Sequence, residues 1–221
     1  IPLAHEKTGT IPSSAWKQRR FHERWYPAET LSVAIGQGYV AATPLQMAQL
    51  AAEVASNGIR YRPHFVKRIE GLDGQVIKDY EPEVAARIPL PPDQWQTVRA
   101  GMCGVVNSPM GTARKAAIPG IEVCGKTGTA QLVKEAAGAR TKEEDIPWKY
   151  RDHAWFIAYA PGNDPRIAVG CVIEHGGHGG AAAAPVIRAI MMRYFQLYPL
   201  NQPIPSGSLA RAALPAKEHG D

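Results

Sequence analysis

Long hydrophobic runs are absent: no apolar stretch approaches the roughly 20 residues that a helix needs to cross a bilayer, and no segment resembles a signal peptide. These residues therefore predict no membrane span. The chain opens on Ile1-Pro2 with no methionine and reads as a piece of a longer polypeptide. Cysteine is scarce. Cys103, Cys124 and Cys171 are scattered, odd in number and set among small or apolar residues, which predicts buried free thiols and no disulfide framework. No tetrahedral ligand set is spelled out either. His153, Cys171, His175 and His178 lie near one another, but the glycines at 176, 177, 179 and 180 mark a flexible turn, so no metal and no cofactor are expected. Excess charge is small, with 25 Lys and Arg against 20 Asp and Glu for a formal net of +5. Its densest part, Lys17 to Arg24, sits in no recognisable nucleic-acid module, so a solvated face is expected and a nucleic-acid partner is not.

What is present suits one globular domain. The chain has 221 residues, 45% hydrophobic and 20% charged, enough to bury a real core. Residues 1–30 mix Pro, Ser, Thr and Gly with Trp16, Phe21, Trp25 and Tyr26 and read as a long loop pinned by aromatics. Thr43 and Pro44 form a cap and first helical position, and Leu45, Ala48, Ala52 and Ala55 supply a buried stripe up to Asn57-Gly58. Residues 59–70 and 75–80 alternate about Gly71-Leu72-Asp73-Gly74 as a hairpin. A second helix spans 93–106 with Trp95, Val98, Met102 and Val105 as its inner face. Residues 134–145 are a charged surface excursion, 154–160 and 166–174 an antiparallel pair, and 182–197 a final helix.

The centre of the chain is Ile121 to Gln131, I-E-V-C-G-K-T-G-T-A-Q. Its opening alternates like a strand with one buried face and then delivers one cation, two hydroxyls and two glycines within five residues. On an edge strand, Lys126, Thr127 and Thr129 would meet a bound anion while Gly128 admits a substrate backbone. The same letters also fit G-x-x-x-x-G-K-[ST], the phosphate loop of nucleotide hydrolases, through Gly120, Gly125, Lys126 and Thr127. That motif requires a strand before and a helix after. Residues 113–119 make a poor strand, although 131–136 would serve to begin a helix, so both readings stand on the letters alone.

K-T-G belongs with S-x-x-K and S-x-N to the signature set of penicillin-binding proteins and serine β-lactamases. The phrases P-S-S-A-W-K-Q-R-R-F, A-I-G-Q-G-Y-V-A-A-T-P-L-Q-M-A, G-M-C-G-V-V-N-S-P-M-G-T-A, G-K-T-G-T-A-Q and H-A-W-F-I-A-Y-A-P followed by I-E-H-G-G occur here in order. Together they resemble the penicillin-binding transpeptidases, and most closely the elongation-type class B peptidoglycan D,D-transpeptidases, across roughly residues 1 to 195. The resemblance implies an α+β fold of the serine β-lactamase and D,D-transpeptidase kind, a five-stranded antiparallel sheet flanked by helices, incomplete in this chain. Residues 1–198 would be the C-terminal part of the transpeptidase domain, and 199–221 a Pro- and Ala-rich tail in which order is not expected.

In such enzymes a serine attacks the D-Ala-D-Ala end of a peptidoglycan stem peptide, and β-lactams acylate the same serine. The resemblance assigns Lys126, Thr127, Gly128 and Thr129 to substrate binding, with Lys126 and the Thr129 backbone N–H, an oxyanion donor, as catalytic groups. It further implies stem peptides and β-lactams as ligands, a membrane glycosyltransferase and elongation-complex proteins as partners, and the periplasmic face of the inner membrane as location. Two departures matter. No S-x-N occurs, and Ser14-Ala15-Trp16-Lys17, the S-x-x-K of the chain, falls where the family has the loop after its second motif. The nucleophile, its lysine and the second motif are therefore expected upstream of Ile1, and the fragment alone is expected to be inactive. A non-catalytic penicillin-binding or sensing module is the alternative, with the nucleotide-binding reading behind it.

Overall fold

The computed structural model describes residues 5–132 and 145–203. Its helices are α1 (Ser14–Phe21), α2 (Pro27–Ala34), α3 (Pro44–Ala55), α4 (Pro92–Asn107) and α5 (Gly179–Leu197). Its strands are β1 (Ile59–Tyr61), β2 (Arg68–Glu70), β3 (Val76–Asp79), β4 (Val84–Arg87), β5 (Cys124–Ala130), β6 (His153–Ala160) and β7 (Ile167–Ile173). Strands β5, β6 and β7 form one antiparallel sheet in that order, with Lys126 opposite Ile157 and Phe156 opposite Cys171. The charged excursion expected at 134–145 falls, but for its last residue, outside the described residues.

The core forms on both faces of β6. Successive side chains of a strand point to opposite faces, so H-A-W-F-I-A-Y-A divides into two sets. Phe156, Ala158 and Ala160 pack with Ala183, Ala184, Ile187, Met191 and Phe195 of α5. Ile157 and Tyr159 pack on the other side with Ala51, Val54 and Ala55 of α3 and with Trp95 and Met102 of α4. A strand covered twice has no polar face to keep, which is why β6 reads as a nearly continuous apolar run. On the α3 side, Gly170 of β7 is required by the close packing. A Cβ there would stand 2.7 Å from the Pro44 carbonyl oxygen and 2.9 Å from the Ala48 nitrogen.

Several expectations hold. Thr43 and Gln46 cap α3 reciprocally, Gln46 N to Thr43 Oγ1 at 3.2 Å and Thr43 N to Gln46 Oε1 at 2.9 Å. Strands β2 and β3 make the hairpin about 71–74, where Gly74 has φ of 79°, but its first arm is 68–70 and not 59–70, since 59–61 pairs with β4. Of the sheet that the resemblance implies, the described residues contribute β5, β6 and β7, while β1 with β4 and β2 with β3 form separate two-stranded ribbons.

Other expectations need correction. Within the stretch 1–30 expected as a loop, residues 14–21 and 27–30 are helical, because their fold rests on polar contacts that a search for apolar periodicity does not register. Ser13 caps α1 through its hydroxyl, and Lys17, only 2% exposed, holds Glu29 of α2 at 2.6 Å and Glu23 at 3.3 Å. Of the expected aromatic pins, Trp16 and Phe21 make ring contact with each other and with Tyr39, while Trp25 donates to Thr30 and Tyr26 lies beside Lys17. On α4, Val98 is exposed and Val106 is buried in its stead. The central strand starts at Cys124, since Ile121 makes only an isolated bridge to Ile118. Cys103 and Cys124 are not free thiols but a disulfide joining α4 to β5, leaving Cys171 free. Folding in three dimensions brings together two cysteines 21 residues apart that spacing alone does not pair. Beyond α5, Arg166 donates to the carbonyls of Pro199, Leu200 and Gln202, so the first residues of the expected tail are held.

Two outcomes follow. Ile187→Ala, at a fully buried position on α5, is expected to cost about 2–5 kcal/mol in chemical denaturation, whereas Val186→Ala beside it, 39% exposed, should stay within about 0.5 kcal/mol. Equal losses would show that α5 does not pack as described. The Lys17 ammonium, with help from the Tyr26 N–H, holds the Glu29 carboxyl below the usual carboxylate range. A lowered carboxyl stabilises above its unfolded pKa of about 4.3, and the effect fades as pH falls through the lower folded value. Glu29→Gln should therefore lower the urea midpoint, followed by tryptophan fluorescence, at pH 7, and the gap to wild type should close on acidification below about pH 4.3. A gap that persists unchanged at pH 3 would refute the linkage.

Candidate functional site

Strand β5 carries the residues singled out in the sequence, and its hydrogen bonding decides what each can offer. Gln37, from the loop after α2, donates to the Thr129 carbonyl at 2.6 Å, and the Lys126 ammonium donates to the Thr127 carbonyl at 2.8 Å. Both carbonyls thus point away from β6. In an antiparallel ladder the N–H and C=O of one residue point to the same side, so the N–H groups of Thr127 and Thr129 face that open edge too. The edge is half covered: α4 closes over its entry, where Asn107 Nδ2 donates to the Val123 carbonyl at 2.8 Å.

Side-chain alternation then separates the set. Thr127 and Thr129 share one face and line a cleft of about 500 Å³. Thr112, Arg114 and Lys115 from the turn after α4 form one wall, and His178, Gly179 and Gly180 at the start of α5 form another. The hydroxyls of Thr112 and Thr127 are 3.2 Å apart. Lys126 and Gly128 lie on the opposite face of the strand. Lys126 is not among the residues lining the cleft, and its exposed ammonium curls back to the strand edge beside it. A Cβ on Gly128 would come within 3.2 Å of the Trp155 Cβ, so that position has little room for a side chain.

The electrostatics are of one sign. Arg114 and Lys115 bring cationic side chains, and the first N–H groups of the 19-residue α5 add the partial positive charge of a helix N-terminus. No lining residue is acidic. With the hydroxyls of Thr112, Thr127 and Thr129, the cleft gathers the donors and positive charge that an anion such as a carboxylate requires. Sequence reasoning missed the walls of the cleft. It took the glycines around His178 as a flexible turn, whereas they permit close packing: a side chain on Gly179 would run into the Trp155 carbonyl, and one on Gly180 into the Thr112 carbonyl. Thr112 lies within a phrase that carried the resemblance, yet nothing local marks it as facing Thr127.

The phosphate-loop reading is overturned. Lys126 and Thr127 sit in the middle of an extended strand opposite Ile157 and Phe156, where the motif needs a loop curling into a helix. Ser14, the serine of the misplaced S-x-x-K, is an exposed residue at the start of α1, and the Lys17 ammonium is engaged by Glu29 and Glu23. Neither lines the cleft. His153 and His175 are occupied in holding loops, with the His175 N–H donating to His153 Nδ1 at 2.9 Å and His175 Nδ1 lying 3.1 Å from the Arg151 carbonyl.

Comparison with known proteins identifies the family. A family model described as the penicillin binding protein transpeptidase domain matches residues 1–192. The peptidoglycan D,D-transpeptidase MrdA of Haemophilus influenzae is 38% identical over 216 residues, covering 93% of this chain and 31% of that protein. The crystal structure of Pseudomonas aeruginosa PBP2 in complex with WCK 5153 superposes with a TM-score of 0.71 at 37% identity, covering 95% of this chain and 42% of that one. The complex between PBP2 and MreC from Helicobacter pylori gives a TM-score of 0.69 at 28% identity, covering 88% and 32%. The chain thus spans about a third of the length of the curated relatives it matches, and its α+β fold is that of the PBP2 structures with the sheet only partly present. Matched over most of its length and carrying K-T-G on an open strand edge beside a cationic cleft, the chain belongs to the penicillin-binding protein transpeptidase domain family.

Proposed function

We propose that this chain is the C-terminal part of the transpeptidase domain of a peptidoglycan D,D-transpeptidase and that it supplies the strand on which the donor stem peptide is held. One observation carries the proposal. The hydroxyls of Thr127 and Thr129 open into a cleft walled by Arg114, Lys115 and a helix N-terminus, directly beside backbone N–H groups that face outward. A D-Ala-D-Ala end fits that arrangement as an added strand. Its terminal carboxylate sits among the threonine hydroxyls, its backbone runs along the open edge of β5, and Gly128 keeps the approach clear.

The chemistry then divides by residue. The Thr129 N–H donates to the carbonyl oxygen as a serine attacks, and its bond strengthens as charge develops there. Lys126, at the strand edge, contributes a positive charge beside the reacting groups. The nucleophilic serine and its activating lysine come from residues outside this chain. Its attack breaks the amide to the last D-alanine, which leaves with the serine proton. The resulting ester is then taken by an amine of a neighbouring stem, which restores the serine and completes the cross-link. A β-lactam presents the same carboxylate and carbonyl and acylates the same serine, its ring C–N bond breaking as the ester forms.

The setting follows from the same reading. Cell-wall cross-linking places the active domain on the periplasmic face of the inner membrane, anchored by residues outside this chain, with a membrane glycosyltransferase and elongation-complex proteins as partners. The Helicobacter pylori complex of PBP2 with MreC supports a partner of that kind. Among the described residues, no helix is long and apolar enough to cross a membrane.

In the full-length polypeptide, Lys126→Ala is expected to abolish labelling by a fluorescent penicillin, and undiminished labelling would sink the proposal. A sharper test uses the backbone. Thr129→Pro removes an N–H that faces the open edge, a position where proline is tolerated, and should slow acylation by about 10²–10³-fold with the circular dichroism unchanged. Thr129→Val keeps the N–H and loses only a carboxylate contact, so its loss should be far smaller. Equal losses in the two variants would remove the oxyanion role from Thr129.

A further inference from the structure

We infer that the Cys103–Cys124 disulfide is a redox-sensitive positioning element for residues 126–129: closed, it pins the entry of β5 to α4, and opened by a dithiol, it frees that entry and slows acyl transfer at the cleft. The acylation part rests on the function proposed above, while the structural part does not.

Position is the argument. Cys124 is the first residue of β5 and fully buried, two residues before Lys126, and Cys103 lies half-buried on α4. Among the described residues β5 has a strand partner on one side alone, β6, so the far side of its entry depends on α4. Two ties cross that junction within one helical turn: the disulfide, and Asn107, whose Nδ2 donates both to the Cys103 carbonyl and to the Val123 carbonyl at 2.8 Å. Past this point the edge is open, and the N–H groups of Thr127 and Thr129 face outward. The covalent tie therefore stands where the covered part of the edge passes into the binding part. Acyl transfer is sensitive to such placement, since a misplacement of about 1 Å costs on the order of 10²-fold.

The redox step balances with a dithiol as reductant. One thiolate of the dithiol attacks the Cys103 sulfur, the S–S bond breaks, and Cys124 leaves and takes up a proton. The second thiol of the reductant then closes on the first, releasing Cys103 as a thiol. Two electrons and two protons have passed from the dithiol to the protein. A disulfide oxidant reverses the exchange. Glu122 stands beside both sulfurs, with its carboxylate oxygen and the two sulfurs all within 4.8 Å of one another, and its negative charge discourages an incoming thiolate.

The test uses the full-length polypeptide and reads three signals. Alkylation under native conditions with peptide mapping should leave Cys103 and Cys124 unmodified before treatment and modify both after a dithiol. Cys171, partly buried and with its thiol pushed up by burial, serves as a slow internal reference. Hydrogen exchange should accelerate on reduction at those amides of residues 123–129 that are bonded to β6 and stay unchanged in α5. The rate of fluorescent penicillin acylation should fall about tenfold on reduction and return on reoxidation. The Cys103→Ala, Cys124→Ala double variant should be acylated at the slow rate with or without reductant, and should it fail to fold, the reduction and reoxidation cycle of the wild type decides. Ready alkylation of both cysteines without reductant would overturn the inference, as would exchange at 123–129 that ignores reduction. A protein that takes up no penicillin in either state would instead overturn the proposed function, with the alkylation and exchange results still deciding the tie.

Discussion

Everything that positions the cleft depends on the burial of β6 between two helical layers. Alternate side chains of one strand are committed to opposite cores, Phe156 and Ala158 towards α5, Ile157 and Tyr159 towards α3 and α4. Neither face can slip by one residue without exchanging its entire apolar set, so the register is strongly held. That register is passed to β5 through the ladder opposing Lys126 to Ile157 and Thr129 to Ala154. The consequence reaches the chemistry: the backbone groups of Thr127 and Thr129 face the open edge because those of Lys126 and Gly128 are spent on β6.

The helix that covers one face of β6 also completes the site. The N-terminus of α5 reaches the cleft only because Gly179 and Gly180 let it press against Trp155 and Thr112. Packing and electrostatics are therefore one arrangement. The same apolar contacts that bury Ile187 and Met191 aim the N-terminus of α5 and its partial positive charge at the place where Thr127 and Thr129 present hydroxyls. The cationic, hydroxyl-lined cleft is thereby assembled from three separate stretches of chain.

Away from the cleft, polar contacts take over where apolar ones are few. Lys17 is nearly inaccessible yet charged, and its bonds to Glu29 and Glu23 join α1 to α2 without a hydrophobic seam. A buried pair of this kind adds little net stability, because desolvation offsets much of the attraction, but removing one partner leaves a stranded charge. It specifies which groups meet. The disulfide between α4 and β5 does the same covalently at the edge where the K-T-G strand begins.

Elements whose signals are local were legible in the chain before folding. The cap and stripe of α3, the apolar run of β6, the turn between β2 and β3 and the K-T-G strand could all be read from neighbouring residues, because backbone propensity and side-chain periodicity act over a few positions. Ordered phrases such as G-K-T-G-T-A-Q and H-A-W-F-I-A-Y-A-P carried the family as well. Which distant groups meet emerges only on folding: Cys103 with Cys124, Lys17 with Glu29, Thr112 with Thr127, and Gly179, the first residue of α5, with Trp155. The same limit hid α1, held by a serine cap and an ion pair, and turned Val98 outward where periodicity would have buried it. Such pairings arise from complementarity between surfaces that are remote along the chain, and no local pattern records them until both surfaces have formed.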